Sequence, residues 1–401
     1  MRFCGWSRRR RQVPTVLLFA VVVVFLGLAL LSTDYVETEE ALPVGSSTHT
    51  SDRIIEPWKQ VLDPTYPWCI PDDEGSSPSH FLSGPGLYLV KIPKAGSSTA
   101  AGITHQLAHK IAQRKGYSQQ HHCRVEAHHG SRHAFREPPY FLWSMIRRPA
   151  DRALSWYYFS KVSREGRAPS YGNLLVYGQR TKGEQLHQLA STSSGLMKNE
   201  NNTKSSPPKP RYTVTMTGRH HNNTTQAQVL EMIQNDILDQ FQFIGILERL
   251  EESLVVMRLL LFGFDATDMI VLPSKLSGGY DGGGSEHGCV YIQTATPTPS
   301  MTEYLQDESY CLDNYDCMLY DILNQTLDAT IDMLGRKTVE EGVQLHRRLQ
   351  SIAEEQCLEE AVFPCSKNGT RQYEASTKSC YQNDWGCGHE CVQRVLADAG
   401  H

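Results

Sequence analysis

Three apolar runs organise the middle of the chain, and each is followed by a polar turn and then a helical periodicity. The first is "GLYLVKIP", after which Ile103, Leu107 and Ile111 recur on one helical face. The second is "PYFLWSMI", residues 139–146, followed by "ADRALSWYYF". In the third, "FQFIGILERLEESLVVMRLLL", an apolar strand meets a helix whose first turn is acidic, as helix starts prefer. Unbroken apolar strands alternating with helices predict an α/β fold with a parallel central sheet covered on both faces. Residues 191–225 are polar and proline-containing and read as a surface excursion, and "GGYDGGGSEHG" reads as a loop. Residues 301–334 read as helical, and no internal repeat is visible.

The ends carry a different pattern. Arg8–Arg11 precede the uncharged apolar run 13–31, and the acidic "STDYVETEE" follows it. At 1.5 Å per residue the run is about long enough to cross a bilayer. Positive charge before it and acid after it predict a signal anchor with a cytosolic tail, 1–12, and a luminal body. A cleaved signal peptide is the rival reading, although its apolar region is usually shorter. Residues 32–84, rich in Pro, Ser, Thr and acid, read as a stalk.

Composition sharpens this picture. A length of 401 residues permits one large domain or two ordinary ones, and a net charge of −5 argues against a nucleic-acid partner. Of 11 cysteines, only Cys4 precedes the apolar run, and seven crowd the last third, from Cys311 to Cys391. In an oxidising lumen this predicts disulfides of unassigned pairing. "GCGHEC" matches no ordinary zinc spacing, so no metal is expected. Sequons at Asn201, Asn222, Asn223, Asn324 and Asn368 all follow the run and agree with a luminal body.

The candidate chemistry sits where apolar strands end. "PKAGSST" follows the first strand and opens a helix, where unpaired amides and the helix dipole favour an anion. Gly96 permits close backbone approach, Ser97, Ser98 and Thr99 supply hydroxyls, and Lys94 supplies charge. A nucleoside-triphosphate loop would place its lysine after a second glycine, and here it precedes the only one. "RRPADRALS" follows the second strand and groups Arg147, Arg148 and Arg152, with Ser155 one turn beyond Arg152. Such a cluster requires an anion or carboxylates. "EAHHGSRHAF" between them offers Glu126, His128, His129 and His133 as general bases. Lys161, Arg164 and Arg167 beyond the aromatic run are either a solvated face or a contact for an anionic sugar chain.

Together "PKAGSST" and "RRPADRALS" resemble the Golgi carbohydrate sulfotransferases that use 3′-phosphoadenosine 5′-phosphosulfate. "WYYF" and "FIGILERLEESL" look like their uronyl and heparan sulfate 2-O branch. The resemblance covers about residues 87–265. It implies a P-loop-like sulfotransferase fold, which we place over 85–335; the chain after Gly278 shows no such match, and the Cys-rich remainder, 336–401, reads as helical. It assigns Lys94, Ala95, Gly96, Ser97, Ser98 and Thr99 to the 5′-phosphosulfate, and Arg147 and Ser155 to the 3′-phosphate. Lys94 would also act in catalysis, and Arg152 would brace the site. "HHG" resembles the segment carrying the branch's base and favours His129, although Ser131 stands where a second histidine is usual. The expectation is therefore a Golgi membrane enzyme with its catalytic domain in the lumen, acting on a glycan or proteoglycan hydroxyl without a metal. Sugar, hydroxyl position and oligomeric state are not legible. The alternatives are a nucleotide kinase or triphosphatase and a non-enzymatic Cys-rich binding protein.

Overall fold

A computed structural model of the chain describes residues 55–59, 86–114, 125–129, 140–193, 225–261, 263–272, 292–358 and 388–399. The strands are β1 (Gly86–Lys91), β2 (Val125–His129), β3 (Tyr140–Ile146) and β4 (Phe243–Ile246). They form one parallel sheet in the order β2-β1-β3-β4. The fold is thus mixed α/β with a parallel sheet and flanking helices, as the apolar runs predict. The three anticipated strands are present. β2, which the apolar pattern did not mark, adds a fourth at the edge beside β1.

The helices follow in chain order. The first is α1 (Ser97–Arg114), then α2 (Pro149–Tyr157), which continues as a wider-wound segment over Tyr158–Arg164. Next come α3 (Tyr171–Thr181), α4 (Glu184–Ser193) and α5 (Gln226–Met232), the last continuing through Ile233–Leu238. They are followed by α6 (Leu250–Leu260), α7 (Pro299–Gln306), α8 (Ser309–Leu312), α9 (Tyr315–Leu334), α10 (Arg336–Cys357) and α11 (His389–Asp398). The segment expected to be helical over 301–334 is helical and is divided among three helices. Its breaks fall at Asp307 and Asp313–Asn314, where Asn314 caps α9 by accepting the Asp316 amide at 3.2 Å.

Successive strand residues point to opposite faces. Residues 87–90 of β1, 141–146 of β3 and all of β4 are nevertheless buried, so both faces of the sheet are covered. α1 packs on β1 and β2, with its Ile103 and Leu107 fully buried, and α6 and α9 pack on β4. The main core continues into α10 through Val339 and Val343, so this helix is packed on the sheet domain. A smaller cluster joins Leu349 and Ala353 of α10 to Val392 and Leu396 of α11, and the Cys357–Cys391 disulfide closes it. A second disulfide links Cys311 to Cys317.

Within the segment read as a stalk, residues 55–59 lie against the domain. Trp58 is buried, its amide donates to Thr330 Oγ1 at 2.9 Å, and its ring meets Phe243 edge-on at 6.3 Å. No helix among the described residues is long and apolar enough to cross a membrane, and the run 13–31 lies outside them. Trp58→Ala should destabilise the folded domain by about 3 to 5 kcal/mol in denaturant unfolding. A loss under 1 kcal/mol would remove residues 55–59 from the core.

Candidate functional site

The strand order fixes where a ligand can sit. From β1 the chain goes to β2 on one side and then crosses to β3 on the other. The carboxyl ends of β1 and β3 therefore flank a topological switch point, the place where open parallel sheets bind ligands. The two segments singled out by their chemistry are the turns leaving those two strands.

The first turn runs from Pro93 to Gly96 between β1 and α1. Lys94 has φ 67° and Gly96 has φ 73°. Among the described residues, Lys94 is the sole non-glycine in this region, a conformation that costs about 1 kcal/mol or more and must be held by its surroundings. A Cβ at Gly96 would come within 2.6 Å of Leu247 Cδ1, just past β4. The Ala100 amide donates to the Gly96 carbonyl at 3.0 Å, so the helix begins at once and the amides of Ser97, Ser98 and Thr99 belong to its first turn. First-turn amides have no acceptor within their own helix, and no acidic side chain occupies this turn. Lys94 Nζ lies 4.4 Å from the centre of the Phe159 ring, and the Arg164 guanidinium is 5.0 Å from the same ring.

The second turn differentiates its three arginines. Arg148 is exposed and pairs with Asp151 at 3.5 Å. Arg152 is buried: it donates to Thr181 O at 3.1 Å, to Glu184 Oε2 at 2.9 Å and to Pro93 O at 3.4 Å. It therefore braces the first turn. Arg147 is half-buried. Its Nη1 is 3.4 Å from Lys94 O, and its Nε is 3.9 Å from Glu248 Oε1 at the end of β4. Both contacts are long, so the guanidinium retains donors for an anion. Ser155 lies partly exposed on α2, seven residues past Arg148, or about 10 Å along the helix.

Two residues that sequence reasoning missed hold the second turn. Gln185 Oε1 accepts the Arg147 amide at 3.0 Å, and its Nε2 donates to the Arg147 carbonyl at 2.9 Å. Asp316, wholly buried at the start of α9, accepts the amides of Gln185 at 3.2 Å and Leu186 at 2.9 Å. Asn314 accepts the Gly183 amide at 3.1 Å. The starts of α4 and α9 are thereby locked together. "DNYD" signals a helix start, but nothing in "GEQLHQLA" marks Gln185 apart from other glutamines. Burial pushes the Asp316 carboxyl up to about 6, against the pull of Arg152 4.0 Å away and of the two amides.

The candidate bases on β2 lie at the same sheet edge or near it. His129 ends β2 opposite Lys91, His128 is opposite Val90, and Glu126 is opposite Tyr88. His133 lies outside the described residues. Lys161 pairs with Glu165, which also meets Arg167 at 2.7 Å, so part of that basic group is internally neutralised. Among the described residues no cluster of ligating side chains could hold a metal.

Compared with family models, with curated proteins and with solved structures, the chain matches none. What the site can do is therefore argued from its geometry: two turns at one switch point, one rich in helix amides and hydroxyls with a lysine, the other with an available arginine. Such an arrangement suits an elongated molecule with an anionic group at each end.

Gly96→Ala should cost about 2 to 4 kcal/mol in unfolding, from backbone strain and the Leu247 collision. Asp316 titrates higher in the folded chain than its ordinary 3.8, so its contribution to stability is present at low pH and is lost as pH rises from about 4 to about 6. Stability measured against Asp316→Asn should accordingly grow, in favour of the wild type, as pH falls through that window. A flat difference would show that the carboxyl is not raised.

Proposed function

We propose that the chain is a carbohydrate sulfotransferase that moves the sulfuryl group of 3′-phosphoadenosine 5′-phosphosulfate to a glycan hydroxyl. The observation that carries this reading is the meeting of the two turns. Arg147 Nη1 reaches the Lys94 carbonyl at 3.4 Å, so the segments that resemble the 5′- and 3′-binding elements of that family meet at one end of the sheet. On this reading the parallel sheet is the P-loop-like core of that fold. A kinase or triphosphatase loop would carry its lysine after the glycine, and "PKAGSST" does not.

The residue types suit the reaction. The amides and hydroxyls of Ser97, Ser98 and Thr99 take the 5′-phosphosulfate, with Ala95 and Gly96 shaping the backbone around it. Arg147 and Ser155 take the 3′-phosphate. The acceptor oxygen forms a new bond to sulfur while the bond from sulfur to the bridging oxygen breaks. Charge grows on that bridging oxygen, where the Lys94 ammonium stabilises it. The acceptor proton passes to a base, for which His129 at the end of β2 is our assignment, and adenosine 3′,5′-bisphosphate leaves. No metal is needed where a lysine and helix amides meet the charge. The disulfides Cys311–Cys317 and Cys357–Cys391 support an oxidising compartment, and the run 13–31 would anchor the chain in the Golgi membrane with this domain in the lumen.

The test is a radiolabelled sulfate-transfer screen over glycan acceptors, paired with retention on immobilised adenosine 3′,5′-bisphosphate. Arg147→Ala should abolish retention, and Lys94→Ala should abolish transfer. His129→Ala should lower turnover by about 100-fold or more while retention persists. Normal turnover in that variant would move the base elsewhere on or after β2. Magnesium-dependent turnover of ATP without retention would replace the sulfotransferase reading with a kinase one.

A further inference from the structure

We propose that Gln185 is the positioning residue for Arg147, and that through it the chain tells a nucleotide bearing a 3′-phosphate from one without it. This rests on the sulfotransferase reading above, which gives Arg147 that phosphate to hold.

The physical basis is the end of β3. Its last residue, Ile146, pairs with Ile246 of β4, and on the other side its pairing with β1 stops at Ser144. Arg147 is the first residue beyond, where a strand's amide and carbonyl lose their ladder and the backbone is free to rotate. The Gln185 carboxamide restores both bonds at once, with contacts of 3.0 and 2.9 Å. A primary amide in this pose imitates one residue of a neighbouring strand, donating and accepting as a hydrogen-bonded pair does. It fixes the direction in which the Arg147 side chain leaves the sheet. The carboxamide is fully buried and cannot wander.

The end of β4 is held by a comparable device. There the Ser253 hydroxyl accepts the Ile246 amide at 2.9 Å and donates to the Ile246 carbonyl at 3.1 Å. That clamp comes from the helix that directly follows its strand. The clamp on Arg147 comes from a helix 38 residues later and is itself anchored by Asp316, 131 residues further on. Cys311 and Cys317 bracket the anchor with a disulfide. A local turn would suffice to end a strand. So long a chain of fixed groups, ending on the backbone of the arginine with spare donors, is explained by the need to aim that arginine.

Only glutamine fits the clamp at every pH. Leucine keeps the volume and loses both bonds. Glutamate, when protonated, can donate its hydroxyl to the Arg147 carbonyl and accept the amide. When ionised it has no donor and faces the carbonyl with like charge, and burial raises its pKa towards neutrality. Other charged groups near the clamp are Asp316 on α9, Arg152 on α2, Glu184 on α4, Glu248 after β4, and the Arg147 guanidinium itself. Reading each variant against wild type at the same pH cancels their titration and that of the nucleotide phosphates.

The experiment is calorimetric titration of the full chain in detergent with adenosine 3′,5′-bisphosphate and with adenosine 5′-phosphate. The quantity read is the ratio of the two dissociation constants. In Gln185→Leu the preference for the bisphosphate should fall by about tenfold, while affinity for the monophosphate changes little. Gln185→Glu should match wild type at about pH 5.5 and approach the leucine variant at about pH 8.5. Loss of packing alone would weaken both nucleotides together and leave the ratio unchanged. A wild-type preference that survives both substitutions at both pH values overturns the clamp and leaves the sulfotransferase reading standing. A wild-type chain that binds the two nucleotides equally overturns that reading, and the role of Gln185 falls with it.

Discussion

Two carbonyl groups, those of Pro93 and Lys94, carry the arrangement of this molecule. Each accepts from an arginine just beyond β3, Arg152 on α2 in one case and Arg147 in the other. Lys94 holds a backbone conformation that an L-residue adopts at a cost, and guanidinium donors on both carbonyls help to keep it there. Arg152 can do this only if its own charge is met in a dry interior, which requires Glu184 and the nearby Asp316. Those carboxylates in turn fix the starts of α4 and α9. The local shape of a four-residue turn thus depends on two helices tied together by residues 131 positions apart in the chain.

The sheet itself was readable because its strands are buried on both faces and so appear as unbroken apolar runs. β1, β3 and β4 gave that signal, and so did the helices that follow them. β2 did not. "VEAHH" at the sheet edge is too polar and too short to stand out, and the candidate bases it carries could not be placed against β1 from sequence. Trp58 was absorbed into a stalk by the composition of its neighbours, because a docked aromatic in a Pro- and acid-rich segment leaves no periodicity. The helical segment expected over 301–334 divides where Asp307 and Asn314 offer the backbone local alternatives.

At the site, the residue types were legible and their division of labour was not. Lys94, Gly96 and Arg147 stood out because lysine, glycine and arginine at strand ends have a common chemical meaning. Gln185 has none until its amide is seen on the Arg147 backbone, since a buried glutamine in an amphipathic helix reads like any other polar position. The tie from Asp316 to α4 is tertiary in the strict sense: its sequence signal is that of a helix cap, and the cap serves two helices.

The two arginines of "RRPADR" that face inward show how burial separates residues that a motif treats alike. Arg147 and Arg152 have the same donors, and either would suit a phosphate by type. A guanidinium whose donors already reach Glu184 at 2.9 Å, Thr181 O and Pro93 O, with almost no exposure, has little to offer a ligand. One with two contacts beyond 3.3 Å and a partly open face still has strong donors to give, and gains most when an anion arrives. Displacing the distant Glu248 carboxylate costs Arg147 little, because at 3.9 Å in a half-exposed setting the pairing is weak. The glutamine clamp then matters because it leaves the donors untouched: it holds the arginine by its backbone. Holding the same residue by its guanidinium would have consumed the donors that the proposed function assigns to the ligand. On the proposed reading, one arginine serves structure and one is left for a ligand, five residues apart where β3 leads into α2.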